Sequence, residues 1–208
     1  MKRLFGNLKM SWLSVILFAV VTGVYTGLIM SIPALDNTSF QDIGISYEWW
    51  VIFAVIVVVN CNKSWDAMLK CFVFFLVSQP IIYAVEVLCG HLTAELGLYY
   101  YKSIWLPITL LTLPGGFIAY FCQKQNLFGA VILGLGNTIE AVMGAHYLSE
   151  AISSFPHHVL SCIVCFGSIF IMSYAIQRSK KYRSVSLILP FVLLAATLVL
   201  LKLSGRVI

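Results

Sequence analysis

The sequence predicts an all-α, polytopic integral membrane protein: a bundle of seven transmembrane helices, with six as the alternative, and a cytoplasmic N-terminus. Three observations carry this. The chain is 61% hydrophobic and only 10% charged, whereas a water-soluble domain carries about a quarter charged residues to coat its surface. Its apolar runs approach the ~20 residues that an α-helix needs to cross a ~30 Å hydrocarbon core. Its lysines and arginines gather on alternate connections, as the positive-inside bias requires.

Taken in order, the runs place spans at about 12–32, 45–61, 67–89, 104–122, 127–147, 159–177 and 185–203. They are continuously apolar rather than alternating, which selects helices over a β-barrel. The first follows Lys2, Arg3 and Lys9 but is too long for a signal h-region, and Ile32-Pro33-Ala34 is a poor cleavage site. It reads as an anchor that stays. No polar stretch is long enough to fold as a soluble domain, so residues 1–208 read as a single transmembrane domain.

With the N-terminus inside, the cytoplasmic segments hold Lys2, Arg3, Lys9, Lys63, Lys124, Arg178, Lys180, Lys181 and Arg183, while Lys102, Lys202 and Arg206 fall outside. The first external loop contains Asp36, Asp42 and Glu48 and no basic residue. If the second or fourth span fails to cross, the count becomes six and the C-terminal tail moves inside. Trp12 marks the inner border. Tyr47, Trp49, Trp50, Tyr99, Tyr100, Tyr101 and Trp105 gather on the outer face as an aromatic belt, with residues 90–103 suited to lie in the interface. No internal repeat is visible, so the repeat plan common among secondary transporters has no support.

An ionisable residue at bilayer depth is costly unless paired or wetted, so each one asks for a role. Asp66 and Lys70, four apart with the acid first, suit a helical ion pair at the cytoplasmic border. Gln79, Tyr83 and Glu86 share one face of the third helix, beside Pro80. Glu140 lies near the centre of the fifth, with Asn137 three residues before it and Gly136 and Gly144 four residues to either side. Glycines there would let a helix or ligand approach the backbone closely. Such a carboxyl can bind a cation, relay a proton, hold an amine, or hydrogen-bond between packed helices. Glu140, Asn137, Glu86, Gln79, Tyr83, Gly136 and Gly144 are therefore the candidate binding residues. Pro107 and the run Leu113-Pro114-Gly115-Gly116 predict a kinked or broken fourth helix, a wall for a cavity bounded by the third, fourth and fifth.

Ala19, Gly23 and Gly27 form a small-residue stripe for close packing, within the chain or against a partner membrane protein. The six cysteines fall in or beside apolar runs, where thiols behave as small hydrophobes. The pair Cys162 and Cys165 sits mid-helix as a packing feature. His146, Glu150, His157 and His158 lack a recognisable ligand spacing, so no metal is expected. The cluster Arg178, Lys180, Lys181 and Arg183 fits contact with anionic lipid headgroups and is too short to imply nucleic acid.

Phosphate-cradling loops and nucleophile motifs are absent, so neither a cofactor nor an enzyme is expected. The sequence-based expectation is a small carrier or substrate-binding membrane subunit in the plasma membrane, taking a small polar or cationic ligand. In size alone the chain is similar to the substrate-binding subunits of energy-coupling-factor vitamin transporters. The alternative is a non-transporting assembly, sensor or regulatory protein, in which Glu140 and Asn137 are interhelical glue.

Overall fold

The computed structural model describes residues 10–45, 47–90 and 105–203, and every regular element among them is helical. The basic residues Lys2, Arg3, Lys9, Lys102 and Arg206, the tyrosines Tyr99 to Tyr101, and most of the interfacial stretch 90–103 lie outside the described residues. The helices gather into two compact units, Asn7–Tyr120 and, for the later helices, Phe121–Ile208.

In the earlier unit, α1 (Trp12–Met30) begins where the Ser11 hydroxyl accepts the Ser14 backbone N–H at 3.1 Å, a side-chain N-cap. A short α2 (Ser39–Ile45) and α3 (Tyr47–Val59) follow, then α4 (Ser64–Leu88) and α5 (Trp105–Ala119). The α1–α4 contact climbs in step along both helices. Trp12 meets Lys70, Phe18 stacks on Phe74, Gly23 meets Ser78 and Ile81, and Gly27 meets Ile82 and Val85. The two helices are therefore parallel, and the chain between them must travel back along their length. Helix α3 makes that return: Trp50 and Phe53 pack on Phe74, and Trp50 also on Phe75.

The parallel packing is close because the stripe of small residues allows it. A Cβ at Gly23 would lie 2.9 Å from the Ser78 carbonyl oxygen, and one at Gly27 would lie 2.8 Å from Val85 Cβ. The Ala19, Gly23 and Gly27 face considered for a partner protein is thus filled by α4 of the same chain.

Helix α5 runs antiparallel to α4, with Gly116 against Cys71 and Phe117 against Trp65. The Tyr120 hydroxyl then donates to the Asn62 carbonyl at 2.6 Å. Of the kink or break expected at Leu113-Pro114-Gly115-Gly116, the break does not occur. The helix continues through Pro114 to Ala119 and tightens into a 3₁₀ turn, Tyr120–Gln123. Proline removes one ladder bond, and a membrane helix tolerates that loss without unwinding.

In the later unit, α6 (Leu127–Ser153) is the helix on which both α7 (Val159–Ile176) and α8 (Lys180–Leu203) pack. Asn126 caps α6 by accepting the Gly129 N–H at 2.9 Å. Helix α7 runs antiparallel to α6, pairing Gly144 with Cys165 and Asn137 with Ser173. At Gly134 a Cβ would fall 2.8 Å from Leu189 of α8. Toward the end of α8, Leu198, Val199 and Leu200 are exposed, which for a membrane helix means facing lipid.

Six of these segments are long and apolar enough to cross a bilayer. The remaining expected span, the second at 45–61, is α3, whose 13 residues extend about 20 Å at 1.5 Å per residue. It falls two residues short of the expected span at each end, and α2 takes only Ile45 of that span.

Candidate functional site

Glu140 is a fully buried carboxyl in the later unit, with none of its surface exposed. It sits on the stripe by which α6 packs, together with Ala130, Leu133, Asn137, Ala141, Gly144 and Ala151. The Ser168 hydroxyl of α7 lies 2.9 Å from Glu140 Oε2 and 2.7 Å from the carbonyl oxygen of Cys165. One turn below, Asn137 Nδ2 donates to Ser173 Oγ at 3.1 Å and to the Ser186 carbonyl of α8 at 3.3 Å. The amide therefore ties all three helices of the unit. Its other atom, Oδ1, is buried and has no hydrogen-bond partner among the described residues.

The two glycines beside Glu140 differ. A Cβ at Gly144 would lie 3.1 Å from Cys165 Cβ, so this glycine permits the α6–α7 approach at the level of the carboxyl. At Gly136 nothing lies within 4 Å. The second close approach comes at Gly134 instead, on the side facing α8. A strict spacing of four drifts across a helix surface, which carries Gly136 to the edge of the buried stripe.

The other candidate residues belong to α4 in the earlier unit. Gln79, Tyr83 and Glu86 are all buried, and Gln79 is entirely so. Neither amide atom of Gln79 has a hydrogen-bond partner among the described residues. Nearer the end of the same helix, Lys70 Nζ and Asp66 Oδ2 form an ion pair at 2.8 Å, with the ammonium 5.6 Å from the centre of the Trp12 ring. That pair closes on itself and the indole.

Ser168, Ser173 and the Ser186 carbonyl were not legible as partners of the site. Their only signal is that small polar residues recur along the apolar α7, at Ser161, Ser168 and Ser173, ahead of Gln177. Among the described residues no three His, Cys, Asp or Glu side chains gather as a metal site. All six cysteines are free thiols.

The chain matches no protein-family model, and comparison with curated proteins and with solved structures finds no match. The functional reading therefore rests on the chemistry of these side chains.

Proposed function

We propose that this multi-pass membrane protein is a small carrier, or the substrate-binding subunit of one, that takes a small polar or cationic solute at Glu140. One observation carries the reading. A wholly buried carboxyl lies one helical turn from an amide oxygen, Asn137 Oδ1, that is equally buried and has no donor among the described residues. A buried acceptor without a partner costs about 1–3 kcal/mol, and a ligand bearing N–H groups or positive charge would relieve it. Carboxyl and amide oxygens accept hydrogen bonds; an anionic solute would find no complementary charge here.

Gly144 and the serines of α7 serve this reading by letting the helices close around the carboxyl. The face of Gln79, Tyr83 and Glu86 offers α4 a polar surface of its own, and its buried amide invites the same kind of partner. The bias of basic residues toward one side fits a plasma membrane.

The competing reading, an assembly or regulatory protein held to partner helices, loses its most specific support. The small-residue stripe that would dock such a helix is occupied by α4.

Uptake tests the proposal. Cells making the wild-type protein should accumulate small cationic or amine solutes above control cells. Glu140→Gln, inserted to the same level, should abolish that gain. Equal uptake by the two proteins would overturn Glu140 as the site. No gain with the wild type over the whole solute class would overturn the carrier reading.

A further inference from the structure

The basic end of the later unit is a built surface with no acid of its own. The turn between α5 and α6 is clasped to the turn between α7 and α8 by two glutamines. Gln177, fully buried, donates through Nε2 to the carbonyls of Cys122 at 2.8 Å and Lys124 at 3.3 Å. Gln125 donates to the Ile176 carbonyl at 2.8 Å and accepts the Arg178 N–H at 2.7 Å. These bonds hold the two turns side by side, and with them Lys124, Arg178, Lys180, Lys181 and Arg183.

The five cations are not equivalent. Arg183 is committed: its guanidinium donates to the carbonyls of Gln177 and Arg178 and lies 4.1 Å from the centre of the Tyr174 ring. Lys124 lies 4.8 Å from the centre of the Phe121 ring. Arg178, Lys180 and Lys181 are exposed, and no ion pair or cation–π contact of theirs is seen among the described residues. From Phe121 to the C-terminus the sequence holds only two acids, Glu140 and Glu150. The first is buried in mid-helix, and the second lies at the far end of α6 from this clasp. Lys180 and Lys181 also open α8, whose first turn contains no acid. They add to the positive end of the helix macrodipole, where cations are disfavoured. No acid among the described residues of the unit stands beside them to balance their charge.

We infer that Arg178, Lys180 and Lys181, held by the Gln125–Gln177 clasp, form a seat for the phosphate headgroup of an anionic phospholipid. The lipid source follows from position: the three cations stand at the mouth of two membrane helices, where headgroup phosphate is the most concentrated anion. An anionic leaflet attracts each nearby Lys or Arg by about fivefold in binding, and a phosphate at a helix start also meets unpaired backbone N–H groups.

The test is native mass spectrometry of the full chain released from nanodiscs of equal phosphatidylglycerol and phosphatidylcholine. The wild type should retain phosphatidylglycerol preferentially. Arg178→Gln, Lys180→Gln and Lys181→Gln should each lower that preference about fivefold, while Lys63→Gln, a basic residue of the earlier unit, should leave it unchanged. Excess inorganic phosphate during release should compete weakly if the seat is for lipid, and completely if it is for the free ion, which would overturn the lipid assignment. Absence of any phosphatidylglycerol preference in the wild type overturns the seat without recourse to variants. A preference that survives all three substitutions places the lipid elsewhere and overturns it equally.

Discussion

The Ser168 hydroxyl stands between two acceptors, Glu140 Oε2 at 2.9 Å and the Cys165 carbonyl at 2.7 Å. A hydroxyl has one hydrogen to donate. The two acceptors share that hydrogen as a three-centre bond. Glu140→Gln keeps an amide oxygen or nitrogen in reach of the same hydroxyl. It should hold the fold to within about 1 kcal/mol, since hydrogen bonds between membrane helices average ~0.6 kcal/mol. Glu140→Ala leaves a cavity between α6 and α7 and should lower stability by roughly 2 kcal/mol or more. Thermal unfolding in one detergent separates the two.

Asn137 joins α6 to α7 and α8 through a single amide. Asn137→Ala should lower stability by about 1–2 kcal/mol, near the upper range for a polar contact between membrane helices. Asn137→Asp keeps an oxygen at the Oδ1 position but cannot donate to both Ser173 and the Ser186 carbonyl. It should be at least as destabilised as the alanine variant when measured by the same unfolding assay.

The glycines divide by what surrounds them. Gly27→Leu would drive a side chain into Val85 and the Ile82 carbonyl, and Gly129→Ala would press a Cβ onto the Lys124 carbonyl. Both should lower folded yield severely, as overpacking typically costs about 1–3 kcal/mol and backbone offers little room to yield. Gly136→Ala meets nothing within 4 Å and should be neutral or stabilising by up to ~1 kcal/mol through helix propensity. Fluorescence-detected size exclusion over the three variants reads the order directly.

Parallel α1 and α4 require the chain between them to recross the membrane. Asn37, before α2, and Asn62, between α3 and α4, should therefore lie on opposite sides. Single cysteines at these two positions, in a chain with its six native cysteines replaced, should react with a membrane-impermeant maleimide from opposite faces. Labelling of both from one face would mean that α3 does not cross.

The architecture was readable where hydropathy alone decides it, and less so where hydrogen bonding extends it. Helix α4 starts at Ser64 rather than 67, α6 runs on to Ser153 past Tyr147, and α8 starts at Lys180 rather than 185. A helix does not end where the hydrocarbon does: Asp66, Glu150 and Lys180 continue the backbone ladder into the headgroup region. The return of α3 was half visible, because its apolar run is short but its place beside α4 depends on Trp50 meeting Phe74 and Phe75.

Within the candidate site, Glu140 and Asn137 stood out because charge and amide are rare in an apolar run. Their partners did not, since a serine hydroxyl can bond to its own helix and leaves no periodic trace. Gly136 shares the spacing of four with Glu140 and Gly144, but such a spacing follows a helix face for one turn and then leaves it, so the close approach falls at Gly134.

The most direct test of Glu140 as a ligand site is native mass spectrometry of the tagged protein extracted in mild detergent. The wild type should carry a reproducible small mass, of an amine or another hydrogen-bond donor, that Glu140→Gln lacks while remaining equally folded. A wild type that carries no small mass, or one that Glu140→Gln retains in full, would contradict the account and leave Glu140 as a tie between α6 and α7.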